Sequence, residues 1–448
     1  MDRNTRSRLT AVAAIATAFR VALAAAPAGA EHEMHSTDAQ AAREAEPFGK
    51  DAVLTRAALI DAVLARNPTV AAARAAWRAA EARPAQARAL DDPMLGYSIA
   101  PASIGDSEVR FGQVVDFSQR FPFPGKLGLR AAVEVAEARA ERGGYESARR
   151  DIALMGSMLF DDYWAAERSL AINTEHHRLL SEQMESAKAQ YGVGRLEQHE
   201  LIGVEIELAH VQHDHVVLGA ERRVVIARLN ALLRRPAHAL LPSPPGALDD
   251  LVTPAGNAEE LAAEAVRTRP ETSSAAARID AAESGAALAR REYFPDFGVG
   301  ASYNTMWDMP EHRTMAGISI NVPLQLGRRK AAVDEAEAQV IRRRSEHDAV
   351  VDRIAAEVEI ARQRLAEADH IVVLYHDRIL PASRDRVSAT RTGLESGDVE
   401  YETVIEAMHD LRNAELAYEI AVADRSRRRA ELVHAVGRIP GVPGGESR

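Results

Sequence analysis

FPFPGKLGLRAAVEVAEARAERGGYESARRDIALMGSMLF opens the stretch that runs from Phe121 to Tyr191. Its head, Phe-Pro-Phe-Pro-Gly-Lys (Phe121 to Lys126), is tolerated by neither a helix interior nor a central strand. About 65 residues then follow without a proline, rich in the Ala, Glu, Arg, Leu and Met that favour helix. Apolar residues at Tyr145, Ala148, Ile152, Met155 and Leu159 step by three and four. After a slip near Ala166 the rhythm resumes at Leu180, Met184, Ala187 and Tyr191. At about 1.5 Å per residue such a helix is roughly 100 Å long. A rod of that length cannot fold back into a compact core, so it needs other long helices beside it.

Composition agrees with a rod. The 448 residues are 27% charged and only 5% aromatic, and a formal charge of −11 offers no basic footprint for nucleic acid. Without cysteine, disulfides, thiol catalysis and cysteine metal sites are excluded. The N-terminus predicts an export signal over residues 1–30. Arg3, Arg6 and Arg8 form its basic region, Leu9 to Phe19 and Val21 to Ala26 its apolar part, and Ala28-Gly29-Ala30 a cleavage site. A flexible segment is expected over residues 31–51. Beyond residue 30 no run approaches the roughly 18 apolar residues of a spanning helix. These features predict export without an inner-membrane anchor, and the missing cysteine excludes a lipid-modified N-terminus.

Working outward, the chain repeats itself. LIDAVLARNP (Leu59 to Pro68) returns as LAAEAVRTRP (Leu261 to Pro270), a shift of 202 residues. Gly125-Lys126 corresponds to Gly327-Arg328, and Gly194 in YGVGRLEQHE to Gly397 in LESGDVEYET. Each half reads short helix, two strand-like stretches, long helix, glycine turn, long helix. The halves are placed at residues 52–235 and 259–438, with a proline-rich linker over 236–258 and a tail over 439–448.

Four stretches alternate with period two. Val109, Phe111, Val115 and Phe117 alternate with Arg110, Gly112, Val114 and Asp116, and Phe297, Val299, Ala301 and Tyr303 with Gly298, Gly300, Ser302 and Asn304. Ile318, Ile320 and Val322 alternate with Ser319 and Asn321, and Leu95, Tyr97 and Ile99 with Gly96 and Ser98. This is the pattern of an outer-membrane strand, although a half-buried soluble sheet gives the same alternation. Four strands cannot close an open barrel, and free edges are forbidden in lipid, so membrane strands must be pooled between chains. The helices make the same demand. A heptad runs Leu201, Val204, Leu208, Val211, His215, Leu218, Arg222, Val225, Leu229, Leu232, and its counterpart runs Val404, Ala407, Leu411, Ala414, Tyr418, Ala421. Both features point to a ring-shaped homo-oligomer.

The repeated order and PFPGK resemble the TolC-type outer-membrane efflux proteins over residues 52 to 438. FSQRFPFPGKLGLR (Phe117 to Arg130), with DPMLGYSI before it, resembles the heavy-metal branch serving cobalt–zinc–cadmium or copper–silver pumps. The resemblance implies a mixed α and β fold in which four transmembrane strands per protomer complete a trimeric twelve-stranded barrel above a coiled-coil tube. It also implies the outer membrane of a Gram-negative bacterium as location. A periplasmic adaptor and an inner-membrane proton-driven RND pump are the implied partners, with the pump choosing the cargo. On this reading Leu95, Phe111, Val115, Phe297, Val299 and Ile320 face lipid, and Arg110 and Asn321 face the lumen. The turns at Gly192 to Glu197 and Glu395 to Val399 dock on the adaptor through Gly194, Arg195, Leu196, Gly397 and Val399.

Catalytic and cofactor signatures are missing: no nucleophile–base set, phosphate loop or dinucleotide fingerprint occurs, and no enzyme or cofactor is expected. His32 and His35 read as a polar tail, and His210 and His213, three apart, as an outer helix face, so no metal site is assigned. Asp161-Asp162 reads as a solvated helix face. Glu395, Asp398, Glu400 and Glu402 crowd the second turn, where a threefold axis would make rings that favour cations. Asp398, then Glu395 and Glu400, are the gate candidates. Alternative readings are a periplasmic adaptor or scaffold with long hairpins, or an outer-membrane factor for drug efflux or type I secretion.

Overall fold

The computed structural model describes residues 48–49, 53–104, 111–249 and 251–441. The export signal, His32, His35, Val109 and Arg110 lie outside them. The described residues from 53 to 441 belong to one unit.

In each half the expected short helix is two helices. Helix α1 (Arg56–Arg66) is followed by α2 (Pro68–Arg88). Proline forces the residue before it out of the helical region. Asn67 therefore stands extended (φ −67, ψ 126), and its side chain caps α2 by accepting from the Thr69 N–H at 2.9 Å. The second half breaks the same way, between α5 (Ala258–Thr268) and α6 (Pro270–Arg291), with Arg269 extended at φ −75, ψ 132.

Strands β1 (Met94–Ile99) and β2 (Gln113–Phe121) lead into the rod α3 (Lys126–Gly192), 67 residues long, and then α4 (Gln198–Leu232). Gly125 adopts φ +94 at the head of α3, a conformation that a side chain would oppose. The second half supplies β3 (Phe297–Asn304), β4 (Thr314–Ile320) and α7 (Leu326–Leu374). A π turn at Tyr375–Ile379 joins α7 to α8 (Leu380–Ser396), and α9 (Tyr401–Ala435) completes the half. Gly327 falls inside the first turn of α7, so it does not repeat the capping role of Gly125. The strands form one antiparallel sheet in the order β1-β2-β3-β4, and β1 and β4 are its free edges. The fold is mostly helical with four antiparallel strands. No described helix is long and apolar enough to cross a membrane.

The rod has the neighbours its length demands: α3 packs on α2, α4, α6 and α9. Near the turns Leu180, Met184, Val204, Val211, Val404, Ala407 and Met408 share one core with Tyr401. The heptad of α4 is a real seam, with Val204, Val211 and Leu229 buried, but His215 on that seam is exposed. Val404, Ala407, Ala414 and Ala421 are buried along α9, small enough for close approach. The slip near Ala166 is filled by polar groups, since Ser169, Asn173 and His176 are buried there. His176 Nε2 meets Glu415 at 2.9 Å and Asn173 Nδ2 donates to the Val211 carbonyl at 3.1 Å.

Asp161 corrects the sequence reading most sharply, because it is not solvated but fully buried. Arg56 of α1 grips it with both nitrogens, at 3.0 and 2.6 Å, and donates to Ser157 Oγ at 2.7 Å and Ser426 Oγ at 2.9 Å. The same guanidinium lies 4.8 Å from the centre of the Phe160 ring. Its neighbour Asp162 is half-buried and paired with Arg427.

Candidate functional site

The sheet has two unlike faces, and the register settles which residue belongs to which. Leu95 pairs with Phe117 and Phe117 with Ala301, while Val115 pairs with Tyr97 and Tyr303. Phe297 pairs with Phe121 and Ile320, and Val299 with Ile318. These residues form one apolar face, left open to solvent in the single chain: Leu95 is 73% exposed and Ile318 79%. Across the pleat, Gly96, Asp116 and Ser302 form a row ending at Met315, with Ser118, Arg120, Gly298, Gly300 and Ser319 on the same side. That side is small or polar. A side chain at Gly96 would collide with the Asp116 carboxylate, so the glycine makes room for the charge.

Five of the six lipid-face candidates, Leu95, Val115, Phe297, Val299 and Ile320, therefore share the apolar face. Phe111 does not lie in a described strand. β2 runs Gln113–Phe121, not 109–117, because Gly112 is drawn into the outer connection by the Ser103 hydroxyl, which accepts its N–H at 2.9 Å. Phe111 is half-buried there, its carbonyl accepting from Thr305 Oγ1 at 2.8 Å. Asn321 stands one residue past β4, donating its N–H to the Asp296 carbonyl at 3.0 Å.

Where sheet meets helices, one residue of the PFPGK segment has a role that its sequence position hides. Lys126 is 1% exposed and its ammonium reaches Asp296 Oδ1 at 2.8 Å, the Phe294 carbonyl at 3.0 Å and Glu292 Oε2 at 3.1 Å. Asp296 also accepts the Phe123 N–H at 2.9 Å, and the Phe123 and Phe294 rings stack at 4.6 Å. The corner between β2 and α3 is thus fastened to the corner between α6 and β3.

At the far end of the rods the two turns are built alike. Gly194 and Gly397 hold φ +70 and +80. The Arg195 N–H reaches back to the Gln190 carbonyl, and the Asp398 N–H to the Gly393 carbonyl, each at 2.9 Å. Gly194, Arg195 and Gly397 are exposed, and Val399 is half-buried over Gly393. Leu196 is buried in the core between hairpins. Glu200, unremarked in the sequence reading, ties the turns together. One of its oxygens takes the Glu197 N–H at 2.9 Å and the other the Tyr401 N–H at 3.3 Å. Glu395, Asp398 and Glu400 are all exposed, with Asp398 accepting from the Ser396 hydroxyl at 2.7 Å. His210 and His213 lie outward and stay apart in their bonding, with His210 beside Glu207 and His213 beside Asp214.

The chain thus combines long rods, paired glycine turns and a two-faced sheet with open edges. Residues 261–438 match the outer membrane efflux protein family. No curated protein sequence matches the chain significantly. Among solved structures, CusC aligns with a TM-score of 0.74 and 18% identity, covering 88% of this chain and 98% of that one. VceC, the outer membrane protein of Vibrio cholerae, aligns at 0.70 with 17% identity, covering 85% and 95%. The open state of the MtrE outer membrane channel of Neisseria gonorrhoeae aligns at 0.72 with 16% identity, covering 85% and 88%. The chain has the fold of these outer-membrane channels, with a sheet at one end and a long helical region at the other.

Proposed function

We propose that this chain is the outer-membrane channel of a tripartite efflux system. Three protomers pool their sheets into a twelve-stranded barrel, and the helical rods form the periplasmic tube. The observation that carries this reading is the four-stranded sheet whose edges β1 and β4 are free and whose apolar face is uncovered. A free edge is forbidden in lipid, and in water an edge beside an uncovered apolar face is a template for another strand. Opposite its buried seam, α4 also exposes Ile202, Ile206, Val216 and Val224, a second apolar stripe suited to a neighbouring protomer. The repeats are residues 52–235 and 259–438, and the glycine turns meet a periplasmic adaptor coupled to an inner-membrane RND pump. The resemblance of residues 117–130 to the heavy-metal branch favours metal cations as cargo.

Bilayer recording of the purified, heat-modifiable oligomer tests the duct directly: stable ion conductance is expected, and a monomer without conductance would overturn the proposal. A guanidinium on the lipid face costs about 2–4 kcal/mol near the midplane. Val299→Arg should therefore reduce assembled trimer in membrane extracts, whereas Ser302→Arg, on the face of Asp116, should leave it near normal. Equal yields would reverse the assignment of faces. Asp398, Glu395 and Glu400 form the gate in this proposal. Asp398→Asn combined with Glu400→Gln should lower cation selectivity and relieve block by trivalent cations, because rings of carboxylates concentrate multivalent cations.

A further inference from the structure

Three of the chain's ten methionines, Met306, Met309 and Met315, fall within ten residues, and His312 keeps the same spacing of three. The first two and the histidine lie in the connection from β3 to β4, at the end of the sheet remote from the helices. Met315 follows on the small and polar face of β4.

The connection is held by its own hydrogen bonds. Met306 N–H donates to Asn304 Oδ1 at 2.9 Å, and Arg313 donates to the carbonyls of Trp307 at 3.0 Å and Asp308 at 3.3 Å. The His312 N–H closes a turn onto the Met309 carbonyl at 3.1 Å. Such a turn brings its first and fourth residues within about 7 Å, so Met309 and His312 stand together. The Trp307 ring meets the His312 ring edge-on, at 6.3 Å and 88°. Met306 leans over Gly112 of the other outer connection, its sulfur 3.2 Å from where a Cβ would stand.

These side chains keep much of their surface free. Met306, Trp307 and Met309 are each about half exposed, at 52%, 48% and 56%. Thioether is a ligand that selects soft cations, imidazole binds copper beside it, and an aromatic face attracts a cation further. Among the described residues no group of three His, Asp or Glu side chains is arranged to hold an ion, and this cluster brings thioethers to one connection instead. Asp308 and Glu311 add negative charge against the single Arg313.

We infer that Met306, Met309 and His312, with Trp307 alongside, bind a soft monovalent cation of the Cu(I) or Ag(I) class. The inference rests on the cation-export reading above and adds the chemical class that the outer mouth selects.

The test is titration of the purified oligomer in detergent with silver nitrate in chloride-free buffer, read by tryptophan emission. The chain has no thiol to compete for silver and only three tryptophans, of which Trp77 stacks on Tyr145 and Trp164 is buried against the Pro245 carbonyl. Silver should quench emission saturably, Trp307→Phe should remove that component, and zinc and potassium should leave it unchanged. Met306→Leu with Met309→Leu should weaken the silver response about tenfold or more, as thioethers give way to groups that cannot ligate. A double variant with native silver response, or zinc quenching as well as silver, would overturn the site. Conductance of the same preparations separates the two claims. Normal conductance with an unaltered silver response removes only the soft-cation site, whereas native protein without conductance removes the duct reading itself.

Discussion

Lys126→Ala should lower the stability of the assembled protein markedly. The ammonium has three acceptors around it, two of them carboxylates, and almost no water. The two carboxylates left behind are 36% and 18% exposed, so stranding them costs about 1–3 kcal/mol, less than for a fully buried pair. Lysine presents a compact charge with three donors, whereas the planar fork of arginine needs a different arrangement, so Lys126→Arg should restore little. The measurement is the temperature at which the oligomer dissociates in detergent, with Lys126→Ala well below native. Adding Asp296→Ala should recover part of the loss, because the stranded carboxylate goes with it. Native melting of Lys126→Ala would mean that the stacked Phe123 and Phe294 hold the corner unaided.

The second large effect is expected at Arg56. Its guanidinium satisfies Asp161 and two serine hydroxyls in a site from which water is excluded, and it joins α1 to α3 and α9. Arg56→Ala should destabilise by about 3–5 kcal/mol, and Asp161→Ala by a comparable amount, because each abandons the other in the interior. The informative variant is the pair Arg56→Met with Asp161→Leu. A buried ion pair replaced by apolar groups of similar volume is often neutral or stabilising. The pair should thus melt above either single alanine variant, as read by loss of helix signal on heating. A pair no better than the single variants would show that Ser157 and Ser426 also depend on the charges.

The rods were legible because nothing competes with them. Sixty-seven residues without proline, and with apolar steps of three and four, admit one reading. The sheet was legible in its alternation but less so in its limits. Gln119 interrupts the apolar row of β2, so the alternation ends at Phe117, while the paired strand runs on to Phe121. The helix break at Asn67 carried a sign in Pro68, yet the length of α2 beyond it did not, since its alanines and arginines suit any exposed helix. Lys126 and Asp161 were hidden for a different reason. A lysine after glycine and an aspartate pair on a helix are surface patterns. They become buried because partners 166 and 105 residues away fold over them. Period and propensity report local structure, and partnership across such separations leaves no local mark. The soft-ligand cluster was visible as a count of methionines and unread, because only the turn at Met309–His312 gathers it.

The open edges of the sheet also bear on the kinetics of assembly in the proposed trimer. Each rod closes its own hydrogen bonds and can form at a rate independent of other chains. Strands β1 and β4 cannot, so in the proposed trimer the barrel becomes complete only through encounters between protomers. Its completion depends on how many nascent protomers share the compartment, and a slowly expressed chain spends longer half-finished with strands exposed to proteases and to wrong partners. In the proposed trimer the supply of chains, as much as their sequence, thus governs how many barrels are completed.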